Sequence, residues 1–256
     1  MNLLLIDIGN TRLKWATSTA ADFTPGGWCY STETGVEQLF NGSFSTIEVD
    51  RVVLANVAQP SLVQVIRRLI GQQWGMEVEE LKSAKLACGV TNAYSDPAGL
   101  GVDRWAAMIG AYALTQGAVC VVDCGTAMTI DVIDQQGRHI GGLILPGYKL
   151  MQQAIMQRGA QLSDVTENET HPEVMQFGRN TTQCIVQGSL LACKAVIEQA
   201  LAQAELDCGG RVSLIITGGD AELIRSALVC QSRFEPELVL QGLSVLARER
   251  PREISA

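Results

Sequence analysis

The aliphatic run Leu3 to Ile6 closes on Asp7-Ile8-Gly9-Asn10-Thr11, after which Leu13, Trp15 and Thr17 alternate with Lys14 and Ala16. That pattern predicts a strand, a tight turn and a second strand. The same device returns further on. Ala118 to Val122 runs into Asp123-Cys124-Gly125-Thr126-Ala127, and Met128 to Ile133 repeats the two-residue rhythm. A third strand is expected over His139 to Leu145, after the turn at Gln135-Gln136-Gly137, with Trp28 to Ser31 as its weaker counterpart in the first half.

Strand and helix signals alternate after each copy. Arg51 to Val57 reads as a buried strand, and Leu62, Val63, Val65, Ile66, Leu69 and Ile70 as a helix bounded by Pro60 and Gly71. In the second half, Asn180 to Glu205 has helical spacing, Arg211 to Thr217 is a strand, Gly218-Gly219-Asp220 a turn, Ala221 to Leu228 a helix and Gly242 to Arg250 another. Two halves that each open with an antiparallel sheet and continue as strand–helix units predict an α/β, duplicated ribonuclease-H-like (actin-like ATPase) fold. Two lobes with mixed sheets flanked by helices are expected, an N-terminal one over residues 1–110 and a C-terminal one over 111–256, with the boundary falling between Leu100 and Gly117.

Composition narrows the function. A net charge of −8 argues against nonspecific binding to duplex nucleic acid, which needs clustered Lys and Arg. The first residues lack a basic lead and a cleavage site, and no uninterrupted apolar stretch approaches the roughly 18–20 residues of a membrane span. A cytoplasmic protein, without membrane or nucleic-acid partners, is expected. Eight cysteines spread from Cys29 to Cys230 read as reduced thiols. With no Cys-x-x-Cys pair and only His139 and His171 as histidines, zinc sites and histidine-based hydrolase chemistry lose support. Chemistry should rest on carboxylates, backbone amides and a bound ion.

Three segments carry candidate chemistry. The Asp7 to Thr11 turn can aim backbone N–H groups at phosphate oxygens, with Asp7 holding a nucleotide's magnesium through water, or it can be a hairpin whose Asp and Asn cap the bend. The second copy, at Asp123 to Thr126, favours the phosphate reading. Asp96 to Trp105 places glycines before an acid and a base at a helix start. There Asp103 suits a proton acceptor with Arg104 beside it, or an ordinary helix cap with a solvated arginine. Thr181 is a cap or a hydroxyl facing a cleft. Gly141 to Gly147 and Thr217 to Asp220 read as structural turns, and Glu77, Glu79 and Glu80 as a solvated edge.

The ordered set resembles the type III pantothenate kinase family from Leu3 to about Leu246. Asp7-x-Gly-Asn-Thr11, Gly101-x-Asp103-Arg104, Asp123-x-Gly-Thr-Ala127, Gly141 to Gly147, Gly178-x-x-Thr181 and Thr217-Gly218-Gly219 are similar to family segments in the same order. The resemblance implies phosphorylation of pantothenate by ATP, with Asp103 as general base. It implies an ATP site of Asp7, Ile8, Gly9, Asn10, Thr11, Arg12, Leu13, Lys14 and Thr126, with Lys14 open between a phosphate contact and an exposed strand residue. It further implies a pantothenate pocket of Tyr94, Gly101, Val102, Asp103, Arg104 and Thr181, and a potassium or ammonium ion at Asp123. Mg2+ would accompany ATP, and the chain would act as a homodimer in which Thr181 can serve the partner's site. The chain departs from the family at Leu162-Ser163, where Leu-Pro is common. The competing readings are a Bvg accessory factor-like regulator without kinase activity and a kinase of another small hydroxylated acid; the Gly101 to Arg104 segment favours the pantothenate reading.

Overall fold

In the computed structural model, which describes residues 1–57, 60–158 and 176–249, the strand–turn–strand device forms twice, in two units. In the first, β1 (Leu3–Ile8), β2 (Arg12–Ser18) and β3 (Phe23–Tyr30) make an antiparallel meander. There follow α1 (Glu33–Asn41), β4 (Arg51–Asn56), α2 (Pro60–Trp74), β5 (Val78–Glu80), the short hairpin β6 (Leu86–Ala87) and β7 (Val90–Thr91), and α3 (Val102–Thr115). The sheet order is β3-β2-β1-β4-β5, with β4 parallel to β1 and β5 parallel to β4. One face of it, carrying Leu4, Ile6, Ile8, Leu13 and Trp15, packs with Ile66 and Ile70 of α2 and with Phe40 and Phe44. Trp15 meets Phe44 edge-on, with ring centroids 5.0 Å apart.

The second unit repeats the plan. Its strands β8 (Val119–Cys124), β9 (Ala127–Ile133) and β10 (His139–Pro146) form the meander. After α4 (Tyr148–Arg158) and α5 (Thr181–Asp207) come β11 (Ser213–Thr217), α6 (Ala221–Ala227) and β12 (Arg233–Phe234), giving the order β10-β9-β8-β11-β12. Burial along β1 and β8 is identical position by position, and so is burial along β2 and β9. The repeat read in the sequence is thus a repeat of packing as well as of residues.

The last helix corrects the division into lobes. The first unit comprises residues 1–114 together with the chain from Glu237 onward, and the second spans Thr115–Pro236. Helix α7 (Leu238–Glu249) starts four residues before the expected Gly242 and packs on β1, β2 and β4. Leu238, Leu240, Leu243 and Leu246 are buried there, which at about 1.5–3 kcal/mol each amounts to roughly 6–12 kcal/mol gross. Net domain stability is only about 5–15 kcal/mol, so α7 is integral to the first unit. Close approach to α3 depends on Gly242, where a Cβ would lie 1.8 Å from the Ala106 carbonyl oxygen. Polar ties complete the junction: Ser18 Oγ lies 2.8 Å from Ser244 Oγ, and Arg51 donates to the Ala247 carbonyl at 3.0 Å. Apolar periodicity alone could not tell which sheet this helix would cover.

Smaller differences have local causes. Helix α2 runs through Gly71, whose absent side chain faces open space, and stops where Gly75 takes φ +64° and donates to the Gly71 carbonyl. Helix α1, unread in the sequence, is capped by Thr32, whose hydroxyl accepts from the Gly35 N–H at 3.1 Å. The acidic edge is ion-paired, Glu79 to Arg51 and Glu80 to Arg67 at 2.7 Å. Helix α5 holds an 18-residue window of mean hydropathy 1.3 and passes for a membrane span by length and composition, although Gln183, Gln187, Lys194 and Glu198 interrupt its apolar run. It packs on β8, β9, α4 and α6 and sends Ile185, Leu190, Cys193 and Ile197 inward. Leu162-Ser163 and the tail beyond residue 249 lie outside the described residues.

Candidate functional site

Asp7 is the fifth residue of β1 and Asp123 the fifth of β8, and each is half-buried at the carboxyl end of a central strand. Asp7 pairs across the sheet with Lys14 and Ala55, and Asp123 with Thr129 and Thr217. In sheets of this class the carboxyl ends of the strands are where ligands bind. The two aspartates are therefore equivalent positions of one duplicated device, each inside its own unit.

Around Asp7, the Gly9 N–H donates to the Arg12 carbonyl at 3.0 Å and the Ser31 hydroxyl to the Gly9 carbonyl at 2.7 Å. The Gly9 amide thus serves the hairpin, and the outward-facing residues of the turn are Asn10 and Thr11, both exposed. Ile8 and Leu13, read as ATP contacts, have their side chains in the core, so only their main chain can meet a ligand. Arg12 stacks on Trp28, its guanidinium 4.3 Å from the ring centroid. Lys14 lies 3.9 Å from the Glu237 carboxylate, and burial pushes the Glu237 carboxyl above its ordinary value while Lys14 pulls it back.

The Tyr94 to Arg104 segment belongs to the same unit. Val102 opens α3 and Asp103 is its second residue, a favourable place for negative charge. One Asp103 oxygen accepts from the Arg104 N–H at 2.8 Å. A Cβ at position 101 would lie 2.6 Å from that oxygen, which accounts for the glycine two residues before the acid. Arg104 is buried, with 8% exposure, and donates to the Tyr94 hydroxyl at 3.0 Å while lying 5.9 Å from that ring's centroid. Tyr94, Gly101, Asp103 and Arg104 are brought together; Val102 turns its side chain inward. A half-buried carboxylate beside a buried guanidinium and a phenol suits a small acidic ligand that carries a hydroxyl.

In the second unit the Asp123 turn is held from two sides. Gly218 has φ +98°, and a Cβ there would sit 2.4 Å from an Asp123 oxygen and 2.6 Å from the Cys124 backbone. Only glycine lets the β11–α6 turn lie against the aspartate. The Asp220 N–H donates to the Cys124 carbonyl at 3.0 Å, and the Gly147 N–H to the Thr126 carbonyl at 2.9 Å. Thr126 itself is exposed. Lys149, at the first turn of α4, pairs with Asp220 at 3.0 Å, a cation beside this turn that no sequence signal singled out. None of the eight cysteines is in a disulfide; burial pushes Cys120 up to about 12 and raises Cys124, so these neighbours of Asp123 are inert core thiols.

Thr181 is not the cap of α5. Asn180 is, its side chain accepting from the Gln183 N–H at 2.8 Å, and Gln183 reaches back to the Arg179 N–H at 2.9 Å. Thr181 is exposed at the first helical position. The donor set also bears on ions. Among the described residues no three His, Cys, Asp or Glu side chains converge, so a cage of side chains alone is not on offer. Single aspartates at turns suit an ion that arrives with the nucleotide's oxygens, or one completed by carbonyls.

A family model described as type III pantothenate kinase matches residues 3–203. The chain belongs to the type III pantothenate kinase family. Relatives named type III pantothenate kinase include those of Herminiimonas arsenicoxydans, 38% identical over 96% of this chain and 97% of its own, and Nitrosococcus oceani, 32% identical over 96% and 94%. Among solved structures, a Campylobacter jejuni protein titled as a Baf family transcriptional activator is 20% identical with a TM-score of 0.56, covering 96% of this chain and 98% of that one. An activator of 2-hydroxyisocaproyl-CoA dehydratase from Clostridium difficile is 12% identical with a TM-score of 0.50, covering 97% of this chain and 94% of that one. Those two likenesses establish the duplicated actin-like ATPase fold and nothing finer. Membership of the type III pantothenate kinase family makes the chain a kinase-class enzyme, and the matched span takes in Asp7, Tyr94, Asp103, Asp123 and Thr181.

Proposed function

We propose that the chain transfers the γ-phosphoryl group of ATP to the primary hydroxyl of pantothenate, giving ADP and 4'-phosphopantothenate, the first step of coenzyme A biosynthesis. The observation that carries this is the coincidence of a family match over residues 3–203 with Tyr94, Asp103 and Arg104 gathered at the start of α3. In this reading Arg104 and Tyr94 hold the acid end of pantothenate, and an Asp103 oxygen takes the proton from the attacking alcohol. The turn at Asp7 to Thr11 is suited to present main chain and hydroxyls to phosphate oxygens, with Arg12 and Lys14 as cations of the same unit, and the equivalent turn at Asp123 to Thr126 is suited to the same chemistry in its own unit. Phosphoryl transfer rests on such positioning and charge neutralisation. Magnesium bound with ATP neutralises charge at the phosphates, Asp7 being suited to hold it through water, and Asp123 is suited to a potassium or ammonium ion.

The homodimer belongs to the same proposal. Supporting it, the second unit leaves Leu143, Ile144, Leu150, Ile155 and Leu191 exposed on edge strand β10 and helices α4 and α5, Ile144 by 64%. The reduced thiols agree with a cytoplasmic home. A coupled ADP-release assay, with and without pantothenate and in potassium or sodium buffer, tests the activity, and light scattering tests the dimer. ADP release that pantothenate fails to stimulate would refute the activity and favour a regulatory or other-acceptor role.

A further inference from the structure

Asn92 is fully buried, in the loop directly after β7, and no sequence signal marked it. Its side-chain amide makes three hydrogen bonds, all to backbone. Nδ2 donates to the Ala84 and Pro97 carbonyls, each at 3.3 Å, and Oδ1 accepts from the Tyr94 N–H at 2.9 Å. The reverse amide orientation would set oxygen against two carbonyls, so the assignment is fixed by its partners. Its own backbone is also held, the N–H donating to the Lys85 carbonyl at 2.9 Å while Lys85 Nζ donates to the Asn92 carbonyl at 2.7 Å.

The three side-chain bonds reach points on both sides of one excursion: its start at Ala84, the tyrosine, and the 3-10 turn Pro97–Gly99 that leads into Leu100 and Gly101. The far end is fastened separately, by the Ser83 hydroxyl donating to the Leu100 carbonyl at 2.8 Å. The Asn92 side-chain bonds all end on loop backbone, at Ala84, Tyr94 and Pro97. Its reach ends on the segment that delivers Tyr94 to Arg104 and Gly101 to Asp103.

We infer that Asn92 is a positioning residue of the acceptor pocket, acting on the acidic substrate through the placement of Tyr94 and of the Pro97 to Gly101 turn. This rests on the acceptor-site reading proposed above. Asn92→Ala removes all three bonds, while Asn92→Asp keeps the acceptor for Tyr94 and loses the donor to the two carbonyls. Misplacing a binding group by a fraction of an ångström to an ångström costs roughly 10- to 100-fold, so each variant should raise the pantothenate KM by about 10-fold or more. The ATP KM should stay within about 2-fold, since the phosphate turns are untouched.

A double-mutant cycle separates positioning from general loosening. With Tyr94→Ala in place the group that Asn92 aligns is gone, and Asn92→Ala should then raise the pantothenate KM by less than about 3-fold. Equal multiplication in both backgrounds, an equal rise in the ATP KM, or wild-type kinetics for Asn92→Asp would each overturn the inference. The wild-type protein supplies a readout that needs no variant: the Tyr94 amide should exchange with deuterium slowly, as a buried donor does. Exchange at the rate of an unprotected loop amide would overturn the inference even if both variants failed to fold. A wild-type chain that released no ADP in response to pantothenate would instead defeat the activity proposal and leave the protected Tyr94 amide standing.

Discussion

Gly218→Ala tests the structure where it is tightest. The new methyl would stand 2.4 Å from an Asp123 carboxylate oxygen and 2.6 Å from two Cys124 backbone atoms, against an ordinary contact beyond 3.4 Å. Either the β11–α6 turn or the aspartate must move by close to an ångström. Backbone strain at φ +98° costs about 1–2 kcal/mol and forced overpacking about 1–3, so roughly 2–5 kcal/mol should be lost. At about 3–5 °C per kcal/mol for a unit of this size, the unfolding midpoint should fall by roughly 10 °C or more. Differential scanning calorimetry measures that fall, and the ADP-release assay run well below the new midpoint measures the second effect, a turnover reduced because Asp123 is displaced. Gly71→Ala is the control: inside α2 its methyl meets nothing, and helix propensity alone should raise stability by about 0.5–1 kcal/mol. A Gly218→Ala protein that melts within about 2 °C of wild type with unchanged turnover would refute the close approach and the role built on it.

Asp103→Asn can keep the hydrogen bond from the Arg104 N–H but cannot accept a proton; turnover should drop roughly 100-fold or more with the melting midpoint preserved, and an active variant would remove Asp103 as base. Asp123→Ala should abolish activation by potassium, read by titrating the salt in the same assay; a retained response would dismiss the ion assignment. Asp134 tests the β9–β10 turn: burial acts to raise its carboxyl, but the Arg138 N–H and guanidinium and the Gln136 N–H outweigh that and hold it below the usual range. A lowered carboxyl stabilises the fold above the unfolded-state value and loses that contribution as pH falls through the folded value. Asp134→Asn should therefore cost about 2 kcal/mol at pH 7, and the gap to wild type should close in acid melts; a gap that stays constant however far the pH is lowered would contradict it.

The repeat was legible because its signal is local. A strand of five or six residues, a turn acid and an alternating partner strand all sit within one window, so Asp7 and Asp123 could be placed at strand ends before any coordinate was known. The Gly101 to Arg104 motif was legible for the same reason. Asn92 was not, because an asparagine in a polar loop differs from a buried one only through carbonyls that the fold supplies from Ala84 and Pro97. Thr181 looked like a cap until Asn180 proved to hold that position, a one-residue distinction that side-chain geometry alone decides. The third miss, α7, had a readable apolar face and an unreadable partner.

That partner gives the chain an order of assembly. The second unit is one continuous stretch, whereas the first is interrupted by it and lacks its closing helix until the whole second unit has been made. On the ribosome, the nascent N-terminal sheet must wait with one face uncovered while the later-made unit completes itself, an inversion of the usual first-made, first-folded sequence.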